Sequence, residues 1–127
     1  MGDSMETDGQ SDGSDRVDEF SSWVTQLRKG FVELLVLQLL SSGPRHGYGI
    51  VQELRELGDL VAGEATVYPV LRRLEAAGSV TASWQQPESG NPRKYYAITD
   101  DGRAFLARAL DEWEKTEEAV ARLRRTS

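Results

Sequence analysis

The hydrophobic period changes at Gly78, and that change constrains the fold more than any other feature of the chain. Before it, GEATVYPVLRRLEAAG (63–78) places Val67, Leu71 and Leu74 on one face at helical spacing, with Thr66, Arg72, Arg73 and Ala76 on other faces. After it, SVTASWQQ and RKYYAIT alternate with period two and are rich in Val, Thr, Trp, Tyr and Ile, as strands are. PESGNP between them forces a turn, so the pair is expected to form a β-hairpin. Proline has no N–H to give to the carbonyl four residues back, so Pro69 is tolerated best near a helix start. The helix is therefore expected to begin between Glu64 and Thr66, with Thr66 as its cap.

Three more helices surround this unit. From Trp23 to Leu40, Leu27, Phe31, Leu34, Leu35 and Leu39 recur at three- and four-residue steps, and Ser41 to Pro44 end the run. A second helix is expected from Gly47 to about Leu57, with Tyr48, Val51, Leu54 and Leu57 along its apolar side. A last helix runs from Asp100, capped by Thr99, to about Leu123. Asp100 and Asp101 in its first turn and Arg122, Arg124 and Arg125 near its end match the helix dipole. Its apolar stripe (Phe105, Leu106, Leu110, Trp113, Val120, Leu123) thins after Trp113, which suits a seam between subunits better than a core.

Charge divides unevenly along the chain. The net charge is −6, and residues 1–20 carry all of it, with seven acids against Arg16. Residues 21–127 hold 14 acids and 14 bases. The Gly-, Ser- and Asp-rich leader cannot bury a core, so residues 1–22 are expected to be a disordered acidic tail. The domain layout is then expected to be a tail over 1–22, a folded domain over 23–99 and a separate last helix over 100–127.

Several function classes are excluded. The chain has no cysteine and one histidine, His46, so disulfides, thiolate metal sites and histidine-rich metal sites are all out of reach. No nucleophile–base spacing, phosphate-binding glycine loop or metal cluster suggests an enzyme or a cofactor. His46 reads as a packing or hydrogen-bonding residue at a helix entrance. No apolar run reaches the ~20 residues that span a bilayer, and no signal peptide is evident. The expected location is the cytoplasm.

Helix, helix, helix, hairpin, helix is the order of a winged helix-turn-helix, mainly α with a small β-hairpin, followed by a C-terminal dimerisation helix. In that layout the third helix reaches base edges and the hairpin, or wing, reaches phosphate or minor groove. A winged helix used only for protein–protein contact remains the alternative.

Three segments together carry a resemblance: HGY after a Gly-Pro break, TVYPVLRRLE in the third helix and RKYYAIT in the second strand. They are similar to the PadR family of transcriptional regulators, over about Leu27 to Trp113. The single C-terminal helix resembles the short subgroup that includes multidrug-responsive repressors. The resemblance implies a homodimer on double-stranded DNA with a near-palindromic operator, released by a small aromatic effector or another signal. It places DNA contacts on Thr66, Tyr68, Arg72, Arg73, Arg93 and Lys94, with packing against the wing as the other reading of Tyr68. It places an effector against Trp113, with a plain seam aromatic as the other reading. Self-association is expected to use Phe31, Leu35, Leu110, Trp113, Val120 and Leu123. The wing departs from the family pattern, because Asn91 and Pro92 stand where further bases often precede the strand.

Overall fold

The computed structural model describes residues 2–58, 63–88 and 90–126, with side chains from residue 18 onward. Its elements are α1 (Gly2–Leu40), β1 (Arg45–His46), α2 (Gly47–Arg55), α3 (Glu64–Ala76), β2 (Val80–Gln85), β3 (Arg93–Ile98) and α4 (Asp100–Thr126). The chain divides into two units, 1–31 and 32–127.

Helix α1 is longer than the expected start at Trp23 implies, since it takes in residues 2–22, expected as a disordered tail. Once a helix is nucleated, each added residue brings one more backbone hydrogen bond, so a polar flank can continue a ladder it could not start. Within the first unit, the rings of Phe20 and Trp23 stack at 6.2 Å. The side chains of the acidic residues at 3–15 lie outside the described residues.

In the second unit the core is assembled from every element but β1. Val32, Val36, Leu37 and Leu40 of α1 meet Ile50, Val51 and Leu54 of α2 and Val67, Val70, Leu71 and Leu74 of α3. Val80, Tyr96 and Leu106 close it from β2, β3 and α4. Burying each such aliphatic side chain contributes about 1.5–3 kcal/mol. The buried face of α3 matches the expected one, with Val70 added. That of α2 is shifted, for Ile50, Val51 and Leu54 are buried while Tyr48 and Leu57 are exposed.

Helix α3 starts at Glu64, at the early end of the expected range, but its cap is not the expected one. Gly63, not Thr66, is the N-cap, with φ 79° and no side-chain capping bond. Pro69 therefore lies inside the helix, beyond the first turn. The Ala65 carbonyl loses its intrahelical donor, but Ala65 and Pro69 are both exposed, so water can satisfy it. The helix ends on Gly78 at φ 82°, with Ser79 N–H donating to the Leu74 carbonyl (2.9 Å) and Gly78 N–H to that of Glu75 (3.0 Å). That pair of hydrogen bonds over a left-handed residue is the reason a glycine stands there.

The sheet has the order β1-β3-β2 and is antiparallel throughout. Val80 pairs with Ile98, Ala82 with Tyr96 and Trp84 with Lys94, so these six share one face. β1 is an element that periodicity does not announce. It pairs Arg45 with Tyr96 and His46 with Tyr95, which leaves the Arg93–Lys94 end of β3 unpaired on that side. Thr99 caps α4 as expected, its Oγ1 accepting from Gly102 N–H at 2.9 Å and donating to the Gly78 carbonyl at 2.7 Å. The result is a mainly helical winged helix-turn-helix with a three-stranded sheet. Among the described residues, no helix is long and apolar enough to cross a membrane.

Candidate nucleic-acid interface

The entrance of α2 is built around two glycines. A methyl on Gly47 would stand 2.8 Å from a ring carbon of Tyr68, and one on Gly49 would stand 3.3 Å from His46 Nε2. A methyl at Gly47 would therefore displace the Tyr68 ring, and one at Gly49 would press on the His46 imidazole. His46 caps α2, with its Nδ1 accepting from Gly49 N–H at 3.2 Å. Tyr95 meets the imidazole edge-on at 5.6 Å.

Where α2, α3 and the wing meet, a cleft of about 440 Å³ opens, lined by His46, Gly47, Tyr48, Tyr68, Trp84, Arg93, Lys94 and Tyr96. Of the expected DNA contacts it brings together Tyr68, Arg93 and Lys94. Thr66, Arg72 and Arg73 lie elsewhere on α3. Tyr68 is half-buried against the core, and burial first, then the nearby Glu64 carboxylate, hold its hydroxyl pKa above the ordinary 10.0. It therefore stays a neutral hydrogen-bond donor at any physiological pH.

The cations differ in what already holds them. Arg73 is tied to Glu33 of α1, its Nε at 2.7 Å and Nη2 at 2.5 Å from one carboxylate oxygen. Lys94 lies 3.7 Å from Glu75 and 5.7 Å from the centre of the Tyr96 ring. Arg72 is exposed on α3, and neither it nor Arg93 has a carboxylate partner among the described residues. Arg93 Nη1 instead faces His46 Nε2 at 3.4 Å. Of the four expected cations, Arg72 and Arg93 have no acid to leave among the described residues, which favours a phosphate contact.

Sequence reasoning missed His46, Tyr48, Trp84 and Tyr96 as members of this surface. Trp84 carries a misleading signal, because it alternates in phase with buried Val80 and half-buried Ala82 and so reads as core. The hairpin runs past the core, and Trp84 is 69% exposed. For self-association, Leu35 and Leu110 are partly buried against the chain's own core. Phe31 and Trp113 are half-buried, while Val120 and Leu123 are 52% and 69% exposed. Among the described residues no group of acids and histidine could hold a metal ion.

Comparison with known proteins agrees with the fold. A crystal structure of a PadR family transcriptional regulator from Eggerthella lenta is 36% identical, with a TM-score of 0.74, covering 90% of this chain and 99% of that one. A PadR-like transcription factor from Bacteroides fragilis is 34% identical, with a TM-score of 0.67 over 78% of this chain and 95% of that one. A transcriptional regulator of Mycobacterium tuberculosis is 37% identical over 90 residues, 68% of this chain and 82% of that protein. The transcriptional regulator PadR-like family matches residues 36–108, from within α1 through the wing and into α4. With the winged fold, the exposed cations of α3 and β3 and this match in agreement, the chain belongs to the PadR-like family of DNA-binding transcriptional regulators, which are not enzymes.

Proposed function

We propose that the protein is a homodimeric repressor that binds a near-palindromic operator in double-stranded DNA. The observation that carries the proposal is that Arg72 on α3 and Arg93 on the wing are exposed cations with no acid bound to either among the described residues. Arg72 reads a guanine edge or holds a phosphate, Thr66 and Tyr68 touch backbone or a thymine methyl, and Arg93 holds phosphate. Arg73 and Lys94 join them by exchanging Glu33 and Glu75 for phosphate. Self-association uses Phe31 and Leu35 of α1 and Leu110, Trp113, Val120 and Leu123 of α4. It sets two α3 helices one DNA turn apart, ~34 Å. A flat aromatic effector that stacks on Trp113 releases the operator.

Gel-shift assays on DNA upstream of the gene and its neighbours test the regulatory reading. One fragment should be retained selectively over competitor, and a flat aromatic compound that quenches Trp113 should release it. Equal retention of every fragment contradicts operator binding. A quench that persists in Trp113→Leu contradicts the effector site.

A further inference from the structure

The contact between His46 and Arg93 cannot be an ordinary hydrogen bond. Nδ1 of His46 accepts from Gly49 N–H at 3.2 Å, so it carries no proton. The proton of the neutral ring is then on Nε2, which makes Nε2 a donor. The atom it faces at 3.4 Å, Arg93 Nη1, can also only donate. Two donors therefore converge on the wall of the cleft between α2, α3 and the wing, and among the described residues neither has a hydrogen bond to an acceptor. The ring cannot easily turn away: Gly49 lies beneath it, Tyr95 meets its edge, and the α2 cap holds Nδ1.

We infer that His46 Nε2–H and Arg93 Nη1–H form a clamp for one phosphoryl oxygen of the DNA backbone. The inference rests on the DNA-binding reading above and adds a residue to it. An oxygen with two or more lone pairs can accept from both groups at once, and the charge on Arg93 favours an anion. The clamp stands where β3 has lost its β1 partner, so the donors are open to a strand lying across the wing. Such a contact carries no sequence information; it fixes how the wing and the entrance of α2 sit on the duplex. The HGYG segment then has one purpose throughout: glycines admit the rings of Tyr68 and His46, and the cap aims the imidazole.

The experiment exploits the fact that His46 is the only histidine in the chain. Its imidazole 1H–15N resonances are read on the whole protein while a generic duplex of two helical turns, ~20 base pairs, is added at low salt. Inorganic phosphate is added in a parallel titration. His46→Asn is measured beside the parent, since asparagine preserves a good N-cap but lacks the distal donor. The expected results are a shift of the Nε2 resonance on adding duplex and about tenfold weaker duplex binding by His46→Asn. The loss should not add to that of Arg93→Ala, because both donors serve one oxygen. Duplex binding that leaves the Nε2 resonance in place overturns the clamp and spares the DNA-binding reading. A shift produced by inorganic phosphate but not by duplex assigns the clamp to a free anion and overturns the backbone assignment. No binding of any duplex by the parent overturns both. The resonance is read on the parent, so the clamp is decided even if the asparagine variant does not fold.

Discussion

Gly102 is where α4 meets the turn between α3 and β2, and it leaves no room for a methyl. A Cβ there would run into the Ser79 carbonyl oxygen and the Ile98 side chain. A backbone oxygen cannot move aside as a side chain can, so Gly102→Ala is expected to destabilise the fold by about 1–3 kcal/mol or more. Gly30, which sits in helix α1 with open space where a methyl would go, should respond oppositely. Gly30→Ala should gain about 0.5–1 kcal/mol from helix propensity. Urea unfolding of the two variants checks both signs. Tyr68 gives a pH dependence. Its pKa in the folded protein is raised, chiefly by burial and then by Glu64, so the stability it contributes is complete below the ordinary value of 10.0. It is lost as pH rises through the higher folded value, because there the folded state holds a proton the unfolded state has released. The alkaline fall in urea midpoint should be shallower in Tyr68→Phe than in the parent.

Among the elements, α3 presents one committed and one uncommitted arginine side by side. Arg72→Ala should weaken duplex binding and reduce the salt slope by ~0.9, the share of one phosphate contact. Arg73→Ala also removes the Glu33 tie, and an exposed pair of this kind contributes only about 0–1 kcal/mol to stability. Fluorescence anisotropy across a salt series, with thermal unfolding alongside, should therefore show the larger binding loss at Arg72. The elements themselves are legible where periodicity is strong: the buried face of α3, both wing strands and the Thr99 cap all stand in the sequence. β1 is not, because two residues have no period and become a strand only through Tyr95 and Tyr96. The start of α3 at Glu64 falls within the range its proline sets, but its cap does not stand out, because Gly63 caps the helix without a side-chain hydrogen bond. At the site, Arg73 looks equivalent to Arg72 because its acid lies 40 residues away, on α1. The capping role of His46 is foreshadowed by its place at a helix entrance, but the donor it offers beside Arg93 depends on a strand 47 residues on.

For the whole molecule, charge and assembly have to work together. Residues 1–20 carry the entire net −6, and the rest of the chain is neutral, so there is little long-range attraction to DNA. In the proposed function, binding then rests on a few placed contacts, doubled by self-association. Val120 and Leu123 are exposed apolar residues at the far end of α4. Glutamate at both should shift the protein towards monomer in sedimentation velocity while leaving the helical signal intact. It should also abolish operator retention, because one α3 alone reads half a site. The most direct test of the central claim is a competition measurement: a labelled upstream fragment, excess unrelated duplex, and parent protein beside Arg72→Ala. The parent should hold the fragment at least ~10³-fold more tightly than unrelated duplex at physiological salt, and Arg72→Ala should lose most of that preference. Equal binding of the parent to both duplexes, or full selectivity in Arg72→Ala, would contradict the account of α3 as the reading helix.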